Sequence, residues 1–174
     1  MHKYLLAALL FLLTSCASIP EGVTPVQGFE VNRFLGKWYE VARLNHSFER
    51  GLSNVTATYS LKQDGTIRVI NRGYKERNQR WSVAEGKAKF VADPMTGRLK
   101  VSFFGPIYGG YNIIELDKQG YQYALIVGND RSTLWILSRT PKLDPVIQAR
   151  LVQKARDLKF PVDGLIYVAQ GTRN

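Results

Sequence analysis

The sequence predicts an all-β fold: an eight-stranded antiparallel up-and-down β-barrel, with one α-helix packed outside near the C-terminus and a short ninth strand. Three observations carry that expectation. Short runs of alternating apolar and polar residues follow one another along most of the chain, tight glycine-containing turns punctuate them, and only one long segment has helical periodicity. Alternation of this kind gives each strand one buried and one solvated face, the mark of an antiparallel sheet. Eight such strands are enough to close, and closure removes the edges an open sheet would have to protect.

Taken in order, strands are expected near 36–44, 54–61, 66–73, 80–91, 98–104, 110–117, 121–128 and 133–139. In "VTATYSL", Val55, Ala57, Tyr59 and Leu61 share one face, and Thr56, Thr58 and Ser60 the other. In "IRVINRGY", Ile67, Val69 and Asn71 oppose Arg68, Ile70 and Arg72. "LKQDGTI", "DPMTGRL" and "LDKQGYQ" read as tight hairpin turns. They alternate with "LNHSFERGLSN", "YKERNQR", "FFGPIYGG" and "GNDRST", which read as roomier. In a meander, alternate connections lie at opposite ends, so one end should be pinched and the other ringed by larger loops. After the eighth strand, Asp144 is a natural N-cap and Pro145 suits the first helical position. Ile147, Leu151, Ala155 and Leu158 then fall on one face, which must lie against the barrel wall. Pro161 and Gly164 end the helix, and "LIYVAQ" supplies the last short strand.

The N-terminus is a separate object. Lys3 precedes the apolar run "YLLAALLFLL", too short to span a bilayer, and the small-residue patch "TSCAS" follows it. Residues 1–15 therefore read as a signal peptide, residues 16–33 as a tether and residues 34–174 as the folded domain. "Leu13-Thr14-Ser15-Cys16" resembles the bacterial lipoprotein box, which implies that Cys16 becomes a diacylglyceryl-modified, acylated N-terminus. Several acyl chains (palmitate is an example) anchor firmly, since each buried methylene contributes ~0.8 kcal/mol. Ala17 in the position after the cysteine favours the outer membrane over the inner one, with the domain facing the periplasm. Cys16 is the only cysteine, so no disulfide is available. Loss of Lys3 with the leader lowers the formal charge from +10 to +9. A basic exported chain points to anionic lipid or ligand and not to nucleic acid.

The motifs now become specific. "Gly36-Lys37-Trp38" resembles the first signature of the lipocalins, and "Leu137-Ser138-Arg139-Thr140-Pro141" their third. Of the second signature only Asp117 survives. With "GKWYEVAR", "NVTATYSL", "AEGKAKF", "KVSFFGPIYGGY" and "LWILSRTP", the chain is similar to the bacterial outer-membrane lipocalins and their apolipoprotein D relatives over nearly its whole mature length. The resemblance implies that Gly36, Trp38 and Arg139 close one end of the barrel, with the guanidinium lying across the indole. Such a cation–π contact contributes about 2 kcal/mol or more when desolvated.

Alternation together with this resemblance implies a cavity lined by Ala57, Tyr59, Val69, Asn71, Ala84, Val101, Phe103, Tyr111, Ile113 and Trp135. Inward Ala124 adds to the small residues among them. Those side chains either leave room for a ligand or pack on one another; packing is expected near Trp38. At the mouth stand His46, Arg50, Lys75, Arg77, Arg80 and Arg131, against Glu49, Glu76 and Asp130. An apolar slot under a basic rim suits the acyl chain and anionic head of a fatty acid or lysophospholipid, giving a carrier for lipid storage, transport or membrane repair. A haem or other flat hydrophobic carrier is the alternative. Catalysis is not expected: His46 is the sole histidine of the mature chain, Glu40, Glu85 and Glu115 do not obviously converge, and no zinc, nucleophile-elbow or phosphate-loop spacing occurs. No cofactor, metal or nucleic acid is expected. "SFFGPIYGGY" is apolar for a loop and suits a homodimer or membrane contact.

Overall fold

The computed structural model describes residues 18–171, so the leader, Cys16 and the final three residues lie outside it. The elements are α1 (Val31–Phe34), β1 (Gly36–Leu44), β2 (Leu52–Leu61), β3 (Ile67–Lys75), β4 (Arg80–Phe90), β5 (Arg98–Phe104), β6 (Ile107–Leu116), β7 (Tyr123–Val127), β8 (Leu134–Ser138), α2 (Pro145–Asp157) and β9 (Leu165–Tyr167). Each of β1 to β8 pairs antiparallel with the next, and β8 pairs back onto β1, so eight strands close as expected. β9 joins β1 from outside.

The barrel has an inner and an outer apolar layer. Inside, Trp38, Ala57, Tyr59, Val69, Ile113, Ala124 and Leu137 belong to one buried cluster. Outside, Val41, Leu125, Val127, Leu134 and Ile136 meet α2 through Leu151 and Ala155, both fully buried. Ile147 and Leu158 pack partly buried beside them. The Asp144 side chain caps α2, accepting from the amides of Val146 at 2.8 Å and Ile147 at 3.2 Å. Glu115 ties the helix down through Arg150 and Lys154. No helix among the described residues is long and apolar enough to cross a membrane.

Two expectations need correction. The ends are not sorted by loop length: "FFGPIYGG" is a tight hairpin in which Phe104 pairs with Ile107, and Gly105 (φ +60°) turns the chain. Only Gly105 and Pro106 separate those strands, whereas residues 91–97 and 117–122 at the opposite end form longer connections. Second, most of residues 16–33 does not behave as a free tether. Val23 and Phe29 are buried, and Val26 donates to Ile113 while accepting from Gly97 (both 2.9 Å). In addition, β1 bulges between Glu40 and Ala42. Val41 and Ala42 both join the outer layer, while Glu40 and Arg43 pair opposite the inward Leu137 and Trp135. A single extra residue thus turns Arg43 inward beside Glu40, which alternation from Trp38 already places there.

Candidate functional site

The closed end is a stack. Trp38 is fully buried, and its indole N–H donates to the Phe34 carbonyl at 2.8 Å. The Arg139 guanidinium lies 3.9 Å over the Trp38 ring. Its three nitrogens donate to the carbonyls of Tyr121 (3.1 Å), Lys37 (2.9 Å) and Arg33 (2.8 Å). Gly36 has φ +93°, where a side chain would be strained, and an added Cβ would lie 3.5 Å from Arg139 Nη1. Above Trp38, Phe34 is wedged between that indole, Phe29 and Tyr59. Arg33 caps Tyr121 from outside at 4.2 Å and donates to the carbonyls of Lys118 and Gln119. Asp117, the remnant of the second signature, closes its own turn by accepting from the Gln122 amide at 3.2 Å.

The middle of the barrel is nearly solid. Phe29, Phe34, Tyr59, Val69, Tyr111 and Ile113 are among the residues around a void of about 10 Å³, at the limit for one water. The hydroxyls of Tyr59 and Tyr111 share a hydrogen bond of 2.7 Å. Burial pushes both phenols well above their ordinary pKa, so both keep their protons. Two hydroxyl hydrogens and one mutual bond leave one donor facing the interior.

Higher up is an ionic cluster that alternation alone does not reveal. Arg43 donates to Glu40 at 2.7 Å and to the carbonyls of Glu49 at 2.7 Å and Leu52 at 3.2 Å. His46 Nε2 stands 2.9 Å from Glu49, and the Trp135 indole donates to the same carboxylate oxygen at 3.0 Å. Burial holds the Glu40 carboxyl well above its usual range; Glu49 adds to the shift and Arg43 only partly opposes it. Burial acts on Glu49 as well, but His46 and Trp135 outweigh it and leave Glu49 lowered. Burial on one side and hydrogen-bond donors on the other thus shift two neighbouring carboxyls in opposite directions. The cluster pins the 45–51 loop against the upper wall.

Above that level the wall opens. The β4–β5 ladder stops at the Lys87–Ser102 pair, so the upper part of β4 rises without that neighbour. Trp38, Ala57, Asn71 and Ala84 form one cross-strand row on the inner face, yet Ala84 is exposed. Val101, Phe103 and Trp135 are half-buried, and Asn71 Oδ1 is buried without a partner. Phe48, Phe104 and Ile107 project from the rim. Among the described residues no cluster of His, Cys, Asp and Glu could hold a metal ion.

The profile of the lipocalin-like domain matches residues 29–170. The chain belongs to the lipocalin family. It is 52% identical over 159 residues to the outer membrane lipoprotein Blc of Vibrio cholerae, covering 91% of this chain and 93% of that one. It is 50% identical to the Blc of Escherichia coli K12 (92% and 91% covered) and 34% identical to bovine apolipoprotein D (70% and 67%). Insecticyanin of the tobacco hornworm Manduca sexta shares the fold at TM-score 0.71 and 20% identity, over 87% of this chain and 86% of that one.

Set in this lipocalin barrel, the expected lining residues separate into two levels. Ala57, Tyr59, Val69, Val101, Phe103, Tyr111, Ile113 and Trp135 lie in or against the packed zone, and Asn71 and Ala84 lie outside it. Trp135 is engaged by Glu49, not a bare wall residue. Among the expected mouth groups, Arg50, Lys75, Arg77 and Arg80 are exposed at the open end. His46 and Glu49 are buried in the cluster. Arg131 departs from the rim altogether: its guanidinium turns outward to the carbonyls of Leu158 (2.9 Å) and Glu21 (2.7 Å). Phe29 and Phe34 were hidden from a strand-by-strand reading because they precede β1. Glu40, two residues after Trp38 on the same face, was the available sign of a buried charge.

Proposed function

We propose that this lipocalin is a non-enzymatic carrier of fatty acids or lysophospholipids, held at the outer membrane through acylated Cys16 with its barrel in the periplasm. The acyl chain enters beside Ala84 and Phe103, reaches down to the Tyr59–Tyr111 pair, and leaves its head at the rim near Arg50, Lys75, Arg77 and Arg80. The observation that carries this reading is the exposure of Ala84, a residue on the inner face of a closed barrel. Each methylene buried there contributes ~0.8 kcal/mol before ordering losses. The unpartnered Asn71 oxygen suits a hydroxyl donor near the head of the chain. The names of the Vibrio cholerae and Escherichia coli relatives, outer membrane lipoproteins, support the location. Cys16 itself lies outside the described residues.

The test is calorimetric titration of the folded domain with palmitate and with a lysophospholipid, in the native protein and in Ala84→Trp. Saturable binding that Ala84→Trp reduces at least tenfold, with an unchanged circular dichroism spectrum, is the expected result. Equal affinity in Ala84→Trp would remove the proposed entry. Recovery of the lysophospholipid intact after prolonged incubation is expected of a carrier; its hydrolysis would show an enzyme.

A further inference from the structure

A second feature lies on the outer wall, on the face of the sheet away from the barrel interior. Tyr39 pairs with Thr56, and Thr56 with Arg72, forming one row across β1, β2 and β3. With Lys37, Trp81 and Gln170 these residues line a groove of about 410 Å³. Its far side is built from the chain after β9. The Asn54 amide donates to the Ala169 carbonyl at 2.8 Å, and Gln170 Nε2 to the carbonyls of Glu40 at 2.8 Å and Val55 at 2.9 Å. The Gly171 amide donates to Asn54 Oδ1 at 2.7 Å. That wall is therefore fixed to the sheet by its own backbone.

The charges in the groove are unbalanced. Arg68, on the same wall, is satisfied by Glu85 through two bonds of 2.7 and 2.6 Å. Arg72 has no such partner among the described residues: its guanidinium lies 3.4 Å over the Trp81 ring. Lys37 Nζ sits 4.5 Å over Tyr39 and likewise meets no carboxylate there. Among the described residues no acidic side chain lines the groove. A planar guanidinium already held flat on an indole has lost much of its freedom, and its edge donors remain directed at solvent. Such an arrangement suits bidentate binding of phosphate or carboxylate.

We propose that this groove is a separate binding site for an organic anion. A phosphate or carboxylate sits between Arg72 and Lys37, and the attached carbon skeleton lies along Tyr39, Thr56 and Trp81. The anion's source is either a soluble organic phosphate or a lipid headgroup presented by a membrane surface; the recognition chemistry is the same. The site is independent of the barrel interior, from which the sheet separates it.

The test uses the soluble domain with ¹⁵N label, titrated with phenyl phosphate and with inorganic phosphate while the amides of Thr56 and Arg72 and the Trp81 indole are followed. Saturable shifts at all three are expected, larger for phenyl phosphate. Arg72→Gln should weaken binding at least about tenfold, the loss of one charge-assisted interaction. Arg68→Gln should leave it unchanged, and neither variant should alter palmitate binding in the barrel. A parallel arm measures binding to phosphatidylglycerol vesicles. Vesicle binding lost in Arg72→Gln assigns the anion to a lipid headgroup, while phenyl phosphate binding without vesicle binding assigns it to a soluble molecule. Absence of saturable shifts with either phosphate, or shifts that persist in Lys37→Gln/Arg72→Gln, overturns the site.

Discussion

Both ends of the barrel set an arginine beside a tryptophan, and they do opposite things with it. At the closed end, Arg139 lies on Trp38 and its donors go to three main-chain carbonyls. No titratable side chain takes part in those bonds. At the open end, Arg43 is shared between Glu40 and two carbonyls, while Trp135 and His46 hold Glu49. Glu40 and Glu49 can change charge, and Arg43, His46 and Trp135 each contact one of them. The same residue types therefore make a permanent seal where the partners are backbone, and a pH-sensitive latch where the partners are side chains.

The largest effects are expected at the seal. Trp38→Ala, at a fully buried site, should cost about 3–5 kcal/mol in urea unfolding. Arg139→Met should cost about 2 kcal/mol or more, since it ends the cation–π contact and strands three carbonyls. Neither loss should vary between pH 5 and 8, and a clear dependence would erase the contrast with the open end. Phe29→Ala should cost roughly 3 kcal/mol, because Phe29 is 3% exposed within the floor. A cost near zero would restore residues 16–33 to the status of a tether.

The latch comes next. Glu49 has a lowered pKa in the fold, so its contribution is present above the ordinary glutamate value of 4.5 and fades as pH falls through the folded value. Glu49→Gln should therefore cost about 1–3 kcal/mol at pH 7, and should converge on the native protein under acid. Glu40 is raised, so its contribution is full below 4.5 and is lost as pH rises toward the folded value. Glu40→Gln should flatten the fall in stability above that point. Parallel pH profiles for the two variants would contradict the opposite shifts of Glu40 and Glu49. Smallest of all, Arg77→Gln and Arg80→Gln, both fully at the surface, should stay within about 0.5 kcal/mol of native stability. They should weaken palmitate binding only at low salt.

The sequence was most legible where local rules are simple. Alternation in "VTATYSL" and "IRVINRGY" gave the right faces, the spacing from Ile147 to Leu158 gave the buried side of α2, and Asp144 caps where a cap was expected. Trp38 and Arg139 are far apart in the chain, and only the family resemblance brought them together. What stayed hidden depends on departures from regularity. The bulge after Glu40 adds one residue and has no signature of its own, yet it decides that Arg43 points inward. The early segment carries glycine and proline, which read as a linker, although Phe29 and Phe34 make it part of the floor. The depth of the cup was equally illegible, because it depends on how far those two rings reach toward Tyr59.

The claim on which these expectations converge is that the lower barrel is filled and only its upper half receives a chain. Stearic acid bearing a nitroxide near its methyl end or near its carboxyl end tests this by paramagnetic broadening of the protein's amide signals. The methyl-end label should broaden Tyr59, Val101 and Tyr111 more strongly than Trp38, while the carboxyl-end label should broaden Arg77 and Arg80 most. Broadening strongest at Trp38, or confined to the outer wall, would contradict it.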